Sequence, residues 1–180
     1  MLTAVLVVVL LAAGAGVAVA RTTPVLSAHG PTSVRGTEAT AVFRIGSRTV
    51  RQVRYADHKT LVYSFVLAND GRLPVTVTGL GSATRSPRLF RYVGLTDAQG
   101  RGRITIDAGD RIPVRLSMVM HGCETLSARA GSFATEVTLR TERAGMLDDV
   151  VTVTLPEEVH TGSPREAFCP NSTATSRPPG

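Results

Sequence analysis

The sequence predicts an all-β fold: a single antiparallel β-sandwich preceded by an N-terminal hydrophobic helix. Three observations carry this. Between about residues 41 and 155, apolar residues recur with a period of two in short runs. Gly-, Asn- and Asp-containing turn signals separate the runs at intervals of about 8–12 residues. No stretch after residue 20 shows the 3.6-residue apolar period of a helix.

Residues 2–20, LTAVLVVVLLAAGAGVAVA, are uncharged and almost wholly apolar. As a helix they span roughly 28 Å, close to the thickness of a bilayer core. Two readings fit them. One is a transmembrane anchor. The other is a signal peptide, because Ala18-Val19-Ala20 supplies small residues around a cleavage point before Arg21. The run is longer than the usual signal core of about 7–15 residues. No basic residue precedes it to set its orientation. Both readings place residues 21–180 outside the cytoplasm, held at the cell membrane facing outward or secreted.

Residues 21–40, RTTPVLSAHGPTSVRGTEAT, are rich in Thr, Ser, Pro and Gly and read as a flexible stalk. Residues 41–169 read as the sandwich and residues 170–180, PNSTATSRPPG, as a disordered tail. Within the sandwich, AVFRI (41–45) and TVRQVRY (49–55) offer the first strands. TLVYSFVLA (60–68) sets Leu61, Tyr63, Phe65 and Leu67 on one face, and its other face is weakly polar, as suits a central strand. NDGR (69–72) turns the chain into LPVTVTGL (73–80). RLFRYVGL (88–95) and RITID (103–107) follow, separated by the loop DAQGRG. RIPVRLSMVM (111–120) aligns Ile112, Val114, Leu116, Met118 and Met120. FATEVTLRT (133–141) and VVTVTL (150–155) complete about seven to nine strands, the number expected of an immunoglobulin-like sandwich.

About 160 residues beyond the apolar segment suffice for one domain with a real core. Trp is absent, so that core falls to Val, Leu, Ile, Met and a few Phe and Tyr. The net charge is +6 and Lys59 is the single lysine. The Arg, Ala, Val and Gly usage points to a high-GC, actinobacterial genome. The densest basic set is Arg44, Arg48, Arg51 and Arg54, a candidate contact for anionic lipid or wall polymer. No aromatic platform interleaves it, which speaks against nucleic acid.

The stretch VMHGCETL (119–126) holds the residues with the most chemistry. Cys123 and Cys169 are the two cysteines, and outside the cytoplasm an even count reads as a disulfide. It closes about 46 residues and is worth roughly 4 kcal/mol in the chain-entropy model. Met118, Met120, His121 and Cys123 offer donors suited to copper(I). However, strand parity turns both methionines into the core and His121 the other way. A thiolate nucleophile at Cys123 with His121 as base disappears if the cysteine is oxidised. Asp148-Asp149 and Glu157-Glu158 are acidic pairs near strand ends, with calcium at the sandwich rim as the alternative to solvated carboxylates. No nucleophile-elbow, zinc-protease, phosphate-loop or redox-cysteine motif occurs.

FVLANDGRLPVTVTGLG (65–81) and IDAGDRIPVRLSMVM (106–120) resemble the strand–turn–strand segments of bacterial Ig-like modules. The chain is similar to ASH- and CARDB-type domains, and more closely to exported Ig-like proteins of actinobacteria, over roughly residues 60–155. The resemblance implies a binding or structural module and carries no catalytic residue or cofactor. The expectation is a non-enzymatic cell-envelope module with an unidentified protein or envelope partner. The alternative is a secreted domain binding a metal or small ligand.

Overall fold

The computed structural model describes residues 23–37, 39–82, 89–122 and 131–161. Residues 2–20, the proposed Cys123–Cys169 bridge and the 170–180 tail lie outside them. Ten strands run in order: β1 (Leu26–Arg35), β2 (Thr40–Ile45), β3 (Arg48–Val53), β4 (Thr60–Asn69), β5 (Val75–Leu80), β6 (Phe90–Asp97), β7 (Ile104–Ile106), β8 (Arg111–Met120), β9 (Phe133–Arg143) and β10 (Leu147–Thr161). They form two sheets, of order β1-β4-β8-β6 and β2-β3-β10-β9-β5-β7. The four-stranded sheet has the A-B-E-D order of an immunoglobulin-like sandwich, and β5, β9 and β10 stand as C, F and G.

The alternating runs put their apolar faces where the period of two requires. Leu61, Tyr63, Phe65 and Leu67 of β4 are fully buried, and so are Val114, Leu116, Met118 and Met120 of β8. They meet Val75, Val77, Val137, Leu139, Val153 and Val159 of the other sheet in one core cluster. Each fully buried Leu, Val or Phe contributes about 1.5–3 kcal/mol.

Two features depart from the expectation. First, the stretch read as stalk contains β1, which pairs with β4 on both sides of a break between His29 and Ser33. Only Leu26 of β1 is buried, so its sequence carries little apolar period. Gly36, which ends it, takes φ +82°, and a Cβ there would lie 2.1 Å from the Thr60 carbonyl oxygen. That position needs glycine. Second, the sandwich is not wholly antiparallel. β3 lies parallel to β10, with Val50 opposite Glu158 and Val53 opposite Thr161. The chain reaches this position by leaving the β1 edge and crossing to the other sheet.

At the rim, the DAQGRG loop closes over a buried carboxylate. Asp97 accepts from the Gln99 and Arg101 amides, both at 2.9 Å, and from Arg101 Nε at 2.6 Å. Desolvation raises its pKa, but the hydrogen bonds from Arg101 and Gln99 together outweigh it and hold the group below the ordinary value. A depressed carboxylate stabilises the fold above its unfolded pKa and loses that stabilisation as pH falls through the folded one. Asp97→Asn should therefore lower the melting temperature at neutral pH. The gap from the parent should close as pH falls below about 4. A gap of constant size in melts from pH 7 to pH 2 would refute this role.

Candidate functional site

The edge strand β2, TAVFRI, is the least covered element of the described fold. All six of its residues are exposed. Val42 is 50%, Phe43 37% and Ile45 55% exposed. The cause is a difference in sheet width. The six-stranded sheet extends two strands beyond β10, whereas the opposing sheet ends at β1, which packs against β10. β2 and β3 form a hairpin through Gly46, at φ +60°, and pair from Ile45–Arg48 to Thr40–Val53.

Ladder geometry fixes which backbone groups of β2 face outward. Across this hairpin Arg54 N donates to Ala39 O at 2.9 Å. Antiparallel bonds alternate, so Ala39, Ala41, Phe43 and Ile45 turn their N–H and C=O groups toward β3. Those of Thr40, Val42 and Arg44 point away from the sheet. Among the described residues no strand pairs with that side. Edge strands are normally blunted by Pro, Lys, bulges or extreme shortness. β2 has six regular residues, no Pro and one charge, Arg44.

The outer sheet face beside β2 carries a second group. Phe133 stacks on His160 with ring centroids 4.2 Å apart, and the Arg48 guanidinium lies 5.6 Å from the Phe133 centroid. Arg48 also grips Glu158, with Nε 2.5 Å from Oε1. Val50 shares this face with Phe43 and is buried, yet it stands apart from the main core cluster.

The structure does not gather the four arginines into one basic face. Arg48 points to the outer face and pairs with Glu158. Arg51 turns between the sheets and pairs with Glu157, its Nη2 also donating to Thr32 Oγ1 at 3.1 Å. Arg44 lies opposite Thr49, and Arg54 follows the end of β3; both are exposed. The carboxylates that hold Arg48 and Arg51 lie 110 and 106 positions away, and a local reading of sequence has no access to such pairs.

Of the proposed donors near VMHGCETL, Met118, Met120 and His121 are described, and Cys123 lies outside the described residues. Met118 and Met120 are fully buried in the core, and Met120 Sδ lies 3.5 Å from the Ala56 amide. His121 is half-buried and its backbone amide donates to Leu89 O. Asp149 is held by Arg143, 2.5 Å from Nη2, and both residues of the Glu157-Glu158 pair are bound by arginine. Among the described residues no three His, Cys, Asp or Glu side chains are placed to hold a metal. Ser27 bonds both His29 and Asp70. Here the hydroxyl sits between base and acid, whereas a hydrolytic triad needs the histidine in the middle.

No protein-family model matches the chain, and no curated protein matches it. Among solved structures, the cupredoxin domain of amoB from Nitrosocaldus yellowstonii matches at a TM-score of 0.27 and 12% identity, covering 67% of this chain and 65% of that one. The chain thus spans just under two thirds of that domain's length, and at this score the likeness assigns neither ligand nor activity.

Proposed function

We propose that the chain is a non-enzymatic, extracytoplasmic Ig-like module that engages a protein partner by strand addition at β2. The observation that carries this reading is the overhanging edge. Three outward N–H and C=O pairs alternate with exposed apolar side chains, the combination used in β-augmentation. Backbone groups supply affinity there, and Val42, Phe43 and Ile45 supply selectivity. The placement outside the cytoplasm rests on residues 2–20. The competing envelope reading uses arginine charge on anionic polymer or lipid. It is weakened by the Arg48–Glu158 and Arg51–Glu157 pairs.

The two readings differ in salt dependence. Full-length chain extracted from its host membranes in mild detergent should migrate in an assembly larger than one chain. That assembly should persist from low to high salt and be lost on Val42→Pro. Dissociation by salt, with Val42→Pro behaving like the parent, would replace strand addition with arginine contact. Single-chain migration at every salt concentration would refute both.

A further inference from the structure

Resting on the β2 edge reading, we infer that the strand added at β2 is β2 of a second copy, antiparallel about a two-fold axis through Val42. The geometry of the edge itself points there. Thr40, Val42 and Arg44 carry the outward backbone groups and are spaced evenly about Val42. A two-fold axis perpendicular to the sheet places Val42 opposite Val42, Thr40 opposite Arg44 and Arg44 opposite Thr40. Each is a hydrogen-bonded pair exchanging two bonds, about six in all. Shifting the register by one allowed step leaves about four within the strand. A second step that centres on Arg44 leaves about two and sets like charges face to face, which is destabilising.

Side chains agree with the same register. Phe43 falls opposite Ala41 and Ile45 opposite Ala39, large against small on both sides of the axis. The single charge of each strand meets a threonine hydroxyl. A foreign strand would need to supply this match, whereas the edge already supplies it to its own copy.

Sterically the arrangement is open. The two-fold places both four-stranded sheets on one side of a continuous sheet. Strands β3-β2-β2-β3 then separate the two β10 strands by five intervals of about 4.8 Å, roughly 24 Å in all. The β1 edges that pack against β10 stay apart, and the overhang becomes the joint.

The test is sedimentation equilibrium of the full-length chain in density-matched detergent, with two variants. Val42→Pro removes an N–H aimed at the second copy while leaving the bonds from Ala41 and Phe43 to β3 intact. It should weaken dimerisation at least about tenfold, with a melting temperature unchanged at dilutions where both proteins are monomeric. Thr40→Glu places a carboxylate opposite Arg44 twice per dimer. It should tighten the dimer about tenfold at low salt, an advantage that high salt removes. This second variant tests the register even if the proline disturbs the hairpin. A dimer unaffected by both substitutions would overturn the inference. If the parent is monomeric alone but runs in a larger host assembly that Val42→Pro abolishes, the partner is a foreign chain. The second-copy inference then falls and the strand-addition reading stands. A monomer in both settings ends both.

Discussion

Glu157→Ala should destabilise the protein by about 3–5 kcal/mol, the cost of leaving a buried charge without its partner. The Glu157 side chain is 5% exposed and that of Arg51 12%. Arg51 reaches from β3 to Glu157 on β10 and to Thr32 on β1, so the pair ties the six-stranded sheet to the four-stranded one. Removing the carboxylate leaves a guanidinium with little water and one hydroxyl. The Tyr63 hydroxyl deepens the cost. It is fully buried, meets no partner in good hydrogen-bond geometry among the described residues, and is held protonated first by burial and then by the negative field of Glu157. It offers no charge to replace the acid. The double change Arg51→Met with Glu157→Leu should recover most of the loss, because two apolar side chains of similar size avoid both desolvation costs. Tyr63→Phe should be neutral or stabilising, since it deletes a polar group without a partner. Urea midpoints on the four proteins check this. A loss under about 1 kcal/mol for Glu157→Ala would mean that the pair is worth no more than a surface one.

The same pair shows where sequence reading runs out. The central strands are legible because burial on one face imposes a period of two: Leu61, Tyr63, Phe65 and Leu67 alternate in the chain and are buried together in the fold. The inward turn of Met118 and Met120 follows from the same parity. β1 escapes notice because an interrupted edge strand buries little and needs no alternation. The parallel β3–β10 pairing escapes because register between distant strands is a tertiary fact. The arginines of β3 illustrate this most directly. As a local cluster they look like a basic patch, and only the alignment of β3 with β10 brings Glu157 and Glu158 to them. The candidate site was half legible. AVFRI reads as a strand, but its place at a sheet edge that no described strand covers depends on the widths of two sheets that no local pattern encodes.

Asn69→Ala should cost about 2–4 kcal/mol, through several lost bonds rather than one. Asn69 ends β4 and is fully buried. Its Nδ2 donates to the carbonyls of Leu73, Ile106 and Asp107 at 2.8, 3.1 and 3.2 Å, and its Oδ1 accepts from Gly71 N at 3.0 Å. Its backbone takes part as well: the amide donates to Asp110 O and the carbonyl accepts from Gly109 N. One side chain therefore joins the turn after β4 to the turn between β7 and β8, two connections that both cross from one sheet to the other. Alanine keeps the backbone bonds but leaves the buried Ile106 carbonyl, two part-buried carbonyls and one amide short of partners. Asn69→Asp separates this account from simple loss of volume. A carboxylate of nearly equal size would face carbonyl oxygens, so its charged form is disfavoured and its folded pKa rises above the unfolded value of about 3.9. For an acid shifted upward, stability is greatest when the group is protonated and falls as pH rises through and above the unfolded pKa. The aspartate variant should therefore approach the parent near pH 3 and drop below the alanine variant at pH 7. If the two variants melt together at pH 7, the donated bonds to Leu73, Ile106 and Asp107 contribute little, and the rim is held by the backbone alone.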